Sequence, residues 1–284
     1  MKLTPLTIAL LLLSSVLCGQ STKLSPVDVL RENAVAINDL TKLDQKIYDV
    51  ISEYEVIMIG EMHGTNEPAD FAVGISQLIA NNEGGVIIAL ELPNDLLGDL
   101  PYPLTQSRLL QSAYFQMENI DGRSGQAWFD LILYAANDSR ITLESIDNSL
   151  TSPRDSSMYL DMVRIKKTYP NTKIITLTGN IHNWLKPFRD HTTLGGYLLK
   201  DEDHFSASKI MSINHLYKEG TMMNNTGNGL ELRTITGEDN ILNQTIKSDM
   251  YLVQQIFEQQ DQYTHILYTE KVTHSEPVAT AENK

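Results

Sequence analysis

The chain has 284 residues, of which 42% are hydrophobic and 20% are charged, and these fractions are typical of a globular protein rather than a disordered or fibrous one. Its 36 acidic and 22 basic side chains give a formal charge of −14, so the surface repels phosphate backbones and nucleic acid is not an expected partner. The one cysteine excludes a disulfide framework and a zinc site built from thiolates, so a bound metal would need histidine and carboxylate ligands.

The N-terminal segment has the pattern of a secretory signal. Lys2 precedes the apolar run Leu6–Leu13, which is much shorter than the roughly 20 residues that span a bilayer. We predict a signal peptide at residues 1–19 and an exported protein, periplasmic or secreted, without a transmembrane span. Lipidation of Cys18 is the alternative, but Leu17 stands where a small residue is expected before a lipidated cysteine.

The remaining chain is predicted to form a single α/β domain over residues 20–274, followed by a disordered tail at residues 275–284. The predicted strands are 56–59, 86–92, 141–146, 173–178, 208–213 and 266–272. The predicted helical stretches are 25–52, 68–82, 126–137 and 154–169. Strands that are apolar on both faces and alternate with helices predict a mostly parallel central sheet flanked by helices. Residues 94–116, rich in Leu and Pro, predict a helical insertion, and residues 222–229 predict a loop.

Four of the predicted strands end in a carboxylate or an imidazole. The side chains delivered are those of Glu61 and His63, Glu91, Asp147 and His182. Ligands of a parallel sheet bind beyond the carboxyl ends of the strands, so these side chains are expected to converge. Asp147 also fits a plain turn or cap residue.

Two of these strand ends share the pattern Gly-x-x-His, at Gly60–His63 and Gly179–His182. Glycine is expected to let the chain leave the strand with an unusual backbone angle and to raise each imidazole above the sheet. Two imidazoles and a carboxylate from Glu61 or Glu91 would resemble a metal site with open positions for water and substrate. The structural alternatives are helix capping by Glu61 and His63, an arginine partner for Glu91 and a purely structural role for His182.

A polar, glycine-rich segment lies between two apolar stretches at residues 119–125. Asp121 and Gly122 predict a turn, and Arg123 can bind a carboxylate or a phosphate in bidentate fashion. An ordinary loop with a surface arginine is the alternative.

The ordered motifs VIMIGEMHGTNE, ALELP, DGRSG and LTGNIHN, spread over residues 56–199, resemble the superfamily that joins the erythromycin esterases, the ChaN haem-uptake lipoproteins and the TraB/Tiki proteins. In the Tiki branch, paired GxxH motifs are implicated in binding a divalent metal for peptide hydrolysis. By motif, this resemblance implies metal binding by His63 and His182 with Glu61 and Glu91 as partners. It also favours a functional role for Asp121 and Arg123.

The other two branches imply different chemistry. In erythromycin esterases a GExxHG-like motif supplies glutamate and histidine for ester hydrolysis, but Glu61 and His63 stand one residue closer together than in that motif. In the ChaN branch, histidine and tyrosine ligands hold haem in a homodimer. No tyrosine here matches a motif position, and Tyr114 and Tyr197 are candidates only by proximity in the sequence.

Together these features predict an exported hydrolase that cleaves an ester or an amide bond. The predicted catalytic residues are Glu61, Glu91 and Arg123. The predicted ligands of a divalent Mn, Co, Fe or Zn ion are His63, His182 and Glu61. The predicted substrate-binding residues are Asp121, Arg123 and Asn183. In a variant of this hypothesis no metal is needed, and His63 assisted by Glu61 activates water directly. A carrier of haem or iron is the alternative function.

Overall fold

The structure, a computed structural model, describes residues 26–93, 96–97, 103–116, 122–147, 153–237, 246, 248–255 and 262–278. The predicted signal peptide lies outside these residues, so export stays a prediction. Within the described ranges, no helix combines the length and the apolar character needed to cross a membrane.

Helices and strands alternate along most of the described chain. The helices are α1 (Pro26–Asn33), α2 (Gln45–Ile51), α3 (Glu67–Glu83), α4 (Gln106–Leu110), α5 (Ala113–Gln116), α6 (Gln126–Ala136), α7 (Arg154–Thr168) and α8 (Leu194–Lys200). The strands are β1 (Val35–Ala36), β2 (Val56–Glu61), β3 (Val86–Pro93), β4 (Ile141–Asp147), β5 (Ile174–Gly179), β6 (Ile210–Asn225), β7 (Leu230–Thr236), β8 (Met250–Gln254) and β9 (His265–Val272). Two short 3₁₀ helices are Asn180–Asn183 and Ala207–Lys209.

All of these strands belong to one sheet with the order β1-β8-β9-β6-β2-β5-β3-β4, and β7 pairs with β6. The six neighbours from β9 to β4 run parallel to one another. The pairings of β1 with β8, β8 with β9 and β6 with β7 are antiparallel. The predicted α/β fold with a mostly parallel sheet is therefore confirmed, and antiparallel strands complete the sheet on the β9 side.

Strand β2 lies near the middle of this sheet and is buried on both faces. Ile57 and Ile59 pack into the core cluster that includes residues of α3 and α6. Val56 and Met58 pack into a second cluster, which includes residues of α7 and α8. Side chains alternate between the faces of a strand, so a strand covered by helices on both sides needs apolar residues at every position. This is why the run Val56–Ile59 has no polar member.

The N-terminal region corrects one prediction, because residues 25–52 form two helices rather than one. Asp39 accepts a hydrogen bond from the Thr41 backbone at 2.9 Å, which stabilises a turn after β1. Asp44 then caps α2 by accepting from the Lys46 backbone at 3.0 Å. Short acidic side chains compete for backbone groups in this way and break a helix even where the apolar spacing continues.

The predicted loop at residues 222–229 is shorter in the structure, because β6 continues to Asn225 and pairs with β7. The structure also describes residues 275–278, the first four residues of the predicted tail. Ser275 is 1% exposed and donates its backbone N–H to the Gly64 carbonyl at 2.9 Å. We call residues 273–277 the strap, because they cross from the turn at Gly64 to the start of α6.

The strap is fixed to α6 as well. The Ser275 hydroxyl oxygen accepts a hydrogen bond from the Ala127 backbone at 2.9 Å. The Gln126 backbone donates to the Glu276 carbonyl at 2.7 Å. The turn after β2 and the first turn of α6 are therefore joined through one extended segment.

Two buried histidines on the β9 side of the sheet predict a loss of stability in acid. Burial lowers the pKa of His215 to about 3 and the pKa of His265 to about 4. Both side chains are neutral in the folded protein at neutral pH, and below pH 6.5 each takes up a proton when the protein unfolds. Their contribution to stability is therefore complete above pH 6.5 and is lost as the pH falls toward their pKa values in the folded protein. We expect His265→Phe, which keeps the edge contact with Tyr54, to reduce the loss of unfolding free energy between pH 7 and pH 5 by about 2 kcal/mol.

Urea unfolding at several pH values measures this difference. The matched control is His191→Phe at an exposed position, which should keep the pH dependence of the parent protein. Equal pH dependence in His265→Phe and the parent protein would contradict the expectation.

Candidate functional site

Four neighbouring strands deliver polar groups to the same edge of the sheet. Glu61 ends β2, Gly179 ends β5 and Asp147 ends β4, while Glu91 lies two residues before the end of β3. Glu61 is in register with Gly179 across the β2–β5 pair. Because all four strands are parallel and adjacent, their carboxyl ends form one crevice.

His63 and Glu61 form the first carboxylate–imidazole pair in this crevice. The Nδ1 atom of His63 lies 2.5 Å from Oε1 of Glu61. The other carboxylate oxygen accepts a hydrogen bond from the Trp128 indole at 3.0 Å, and both Glu61 and Trp128 are buried. Burial works to lower the pKa of His63, but the charge and hydrogen bond of Glu61 and the charge of Glu91 outweigh it, so this pKa lies above its ordinary value.

His182 belongs to a second carboxylate–imidazole pair. Its Nδ1 atom lies 2.7 Å from Oδ1 of Asp155, in the first turn of α7. The same Asp155 oxygen accepts from the Leu194 backbone, also at 2.7 Å, at the start of α8. Asp155 therefore links the imidazole of His182, which the 3₁₀ helix after β5 carries, to the starts of α7 and α8.

The buried carboxylate of Glu91 lies between both pairs. Its Oε1 atom is 3.6 Å from Nε2 of His182 and 3.9 Å from Nε2 of His63. Its Oε2 atom accepts a hydrogen bond from the Gly179 backbone at 2.6 Å. The two Nε2 atoms thus face the same carboxylate, while the two Nδ1 atoms are directed at carboxylates behind them.

Two arginines complete the arrangement around Glu91. Arg154 donates to Oε1 of Glu91 at 2.6 Å and holds Asp147 through two hydrogen bonds of 2.8 and 2.5 Å. Arg123 donates to the backbone carbonyl and to Oε1 of Glu91, at 2.8 and 2.9 Å. Burial works to raise the pKa of Asp147, but the hydrogen bonds and charges of Arg154 and Arg123 outweigh it and hold this pKa below its ordinary value.

The glycines of the two Gly-x-x-His motifs allow close packing and do not adopt an unusual backbone angle. Neither Gly60 nor Gly179 has a positive φ, whereas Gly64 has a φ of 92°. A Cβ at Gly179 would lie 3.2 Å from Nε2 and 3.4 Å from Cε1 of His63, which is closer than ordinary van der Waals contact. Glycine at position 179 therefore lets the His63 imidazole pack closely against the end of β5, and the expected unusual angle occurs in the turn after His63, at Gly64.

The loop that carries Arg123 packs directly on that turn. Gly122 has a φ of 91°, and a Cβ there would meet the Gly64 backbone at 2.5 Å. A Cβ at Gly64 would in turn lie 1.8 Å from the Met223 carbonyl of β6. Three backbone segments meet where only glycine fits, and this contact fixes Arg123 relative to His63.

The predicted metal ligands do not fit a metal ion in this arrangement. Glu61 faces Nδ1 of His63, on the opposite side of the ring from the Nε2 atom that faces His182 and Glu91. The Glu91 oxygen nearest to both imidazoles is already shared by two guanidinium groups. Among the residues that the structure describes, no group of three or more His, Cys, Asp or Glu side chains is arranged to hold a metal ion. The requirement for a metal therefore remains a prediction. The arrangement of His63, His182 and Glu61 in this structure does not favour it.

The remaining predicted residues contribute less to the crevice. Asn183 is buried, and its side-chain oxygen accepts a hydrogen bond from Thr178 at 2.6 Å, so its assignment as a substrate ligand stays a prediction. Asp121 lies outside the described residues. Of the candidate haem ligands, Tyr114 is buried against Phe115 and Tyr197 stacks on Tyr159. Haem or iron binding stays a prediction.

Sequence reasoning missed the roles of Arg154, Asp155 and Trp128. A signal for the first two was present, since the helix predicted at 154–169 follows a strand that ends at the crevice. In a parallel α/β fold such a helix begins at the same edge, so an Arg-Asp pair at its start is placed beside the strand ends. The Trp128 contact with Glu61 depends on how α6 packs, and no local pattern indicates it.

Comparison with known proteins supports the fold. No family model matches the chain, and no curated protein matches it either. A protein from Bacillus cereus shares 11% identity, with a TM-score of 0.62 over 89% of this chain and 98% of its own. A mutant of the erythromycin esterase EreC in its open conformation shares 12% identity, with a TM-score of 0.60 over 87% of this chain and 99% of its own. A succinoglycan biosynthesis protein shares 12% identity, with a TM-score of 0.59 over 91% and 99%. The resemblance to erythromycin esterases is thus confirmed at the level of the fold.

Proposed function

We propose that this chain is a hydrolase that cleaves a carboxylic ester or amide with a water molecule activated by His63 and Glu61. The observation that carries the proposal is the 2.5 Å contact between His63 Nδ1 and Glu61 Oε1. With Nδ1 directed at a carboxylate, Nε2 is the nitrogen available to accept a proton from water. The fold shared with a protein named an esterase supports the same reaction class.

The pair has the features of a general base. Glu61 is held from behind by Trp128, so the imidazole keeps one orientation. The neutral form of His63 takes a proton from water, and the resulting imidazolium is stabilised by the carboxylates of Glu61 and Glu91. The attacking oxygen then adds to the carbonyl carbon of the substrate.

The tetrahedral intermediate carries a negative charge that needs a positive partner. Arg123 and Arg154 surround Glu91 at the base of the crevice, and Arg154 keeps 35% of its side chain exposed. Hydrogen bonds from these guanidinium groups would favour an oxyanion formed beside them and away from the Glu91 carboxylate. We propose this role for the guanidinium groups in place of a metal ion.

Removal of metal tests this part of the proposal. We expect the purified protein to hydrolyse 4-nitrophenyl esters at the same rate before and after dialysis against a chelator, because the proposed base and the positive charges are protein side chains. The measurement is kcat with each sample, beside the metal content by elemental analysis. A rate lost on chelation and restored by manganese or cobalt would contradict the metal-free mechanism and support the predicted metal site. Absence of hydrolysis with 4-nitrophenyl and ethyl esters and with amides of the same acids would contradict the proposed function itself.

A further inference from the structure

The contact between His182 and Asp155 has the same form as the contact between His63 and Glu61. In each pair a carboxylate oxygen lies within 2.7 Å of the imidazole Nδ1 atom. In each pair the Nε2 atom lies within 4 Å of the same Glu91 oxygen. A single substrate bound over Glu91 can therefore touch both imidazoles.

Asp155 is itself held in a fixed position. The oxygen that contacts His182 also accepts the backbone N–H of Leu194, so the carboxylate bridges the imidazole and the start of α8. Its neighbour Arg154 binds Glu91 and Asp147 from the same helical turn. The first turn of α7 thus sets the position of His182 and of the central carboxylate together.

Ester and amide hydrolysis needs a proton donor as well as a base. The base removes a proton from water, and the departing oxygen or nitrogen must gain one unless it is stable as an anion. In the proposed function the base is His63, whose Nδ1 atom is directed at Glu61, so the water belongs to that imidazole. His182 is the other imidazole in reach, and Asp155 and Glu91 lie on either side of its ring, at 2.7 Å from Nδ1 and 3.6 Å from Nε2.

We infer that Asp155 is a positioning residue that makes His182 the proton donor to the leaving group, and that the natural substrates are esters of unactivated alcohols or amides. This inference rests on the proposed function. In the first step a water proton passes to Nε2 of His63 while the water oxygen bonds to the carbonyl carbon. In the second step the bond to the leaving group breaks, and the leaving group takes the proton from Nε2 of His182. The products are a carboxylic acid and an alcohol or amine, and proton exchange with solvent restores both imidazoles.

The choice of leaving group provides the test. Nitrophenolate departs without a proton because its charge is delocalised, whereas an alkoxide needs one. We expect Asp155→Asn to lower kcat for an ethyl ester by roughly 100-fold or more and kcat for the 4-nitrophenyl ester of the same acid by less than about tenfold. Acetyl, butyryl and octanoyl esters are compared in pairs, so that acyl preference cancels. Asparagine keeps the size of the side chain and an acceptor for the Leu194 backbone, so the fold is expected to persist.

Two matched variants define how the result is interpreted. Glu61→Gln weakens the base and is expected to slow both esters alike, because both need activated water. Asp201→Asn removes the carboxylate of a comparable, part-buried pair with His204, at 2.8 Å, and is expected to change neither rate. A larger loss for the ethyl ester in Asp155→Asn supports the inference. An equal loss for both esters, or no loss, overturns it while the proposed function stands. A parent protein that hydrolyses neither ester overturns both.

Discussion

Replacement of His63 by asparagine is expected to lower kcat/KM for ester hydrolysis by roughly 10²- to 10⁴-fold, the usual contribution of a general base. The amide of asparagine can still donate toward Glu61 in place of Nδ1, so the neighbouring hydrogen bond is preserved. What is lost is the Nε2 atom that accepts the proton of water. The measurement is steady-state hydrolysis of a 4-nitrophenyl ester, for which chemistry at the base dominates.

The pH dependence of the parent protein adds a second check on the same residue. The pKa of His63 lies above 6.5, and only the neutral imidazole accepts a proton. For the 4-nitrophenyl ester, which needs no proton donor, the rate should therefore rise with pH through a value above 6.5 and level off once His63 is neutral. His204→Asn, at a part-buried histidine paired with Asp201, is the control and should keep the parent rate and profile. A His63→Asn protein that retains most of the parent rate would contradict the assignment.

Replacement of Glu91 by alanine is expected to lower the free energy of unfolding by about 3–5 kcal/mol, the usual cost of removing one partner from a buried ion pair. Glu91 is fully buried and accepts hydrogen bonds from Arg123, Arg154 and the Gly179 backbone. Without it, two guanidinium groups share the single carboxylate of Asp147, and one backbone N–H loses its partner. Urea unfolding measures the effect through the shift of the midpoint at constant slope.

Glu270→Ala is the matched control for this effect. Glu270 also forms an ion pair, with Lys218 at 2.8 Å, but both side chains are more than 40% exposed. Exposed ion pairs add little to stability, so the unfolding midpoint should stay within experimental error. If Glu91→Ala unfolded at the same urea concentration as the parent protein, the buried ion pairs of Glu91 with Arg123 and Arg154 would not stabilise the fold.

The sequence carried enough information to predict the fold class and the position of the crevice. Short apolar runs rich in β-branched residues, such as Val56–Ile59, favour central strands, because a strand covered by helices on both sides buries both of its faces. Once parallel strands are assigned, Glu61, Glu91 and His182 must fall on the same edge. The convergence of these residues therefore follows from the strand pattern alone.

The orientation of individual side chains could not be predicted in the same way. Spacing does not determine which nitrogen of His63 faces Glu61, yet this contact decides whether the pair is suited to a metal or to water. Asp155 meets His182 only because α7 and α8 pack side by side, which depends on contacts between residues distant in the sequence. The division of residues 25–52 into two helices was obscured because apolar residues on both sides of the break still face the core.

The strap gives the crevice a particular response to partial unfolding. Its backbone holds the Gly64 turn at one end and the start of α6 at the other, and the Arg123 loop packs between them. Release of this segment from its neighbours would free both the imidazole of His63 and the guanidinium of Arg123 at once. The chain segments that carry His63 and Arg123 are therefore expected to unfold together as one cooperative unit. Their backbone amide protons should exchange with solvent at a common rate.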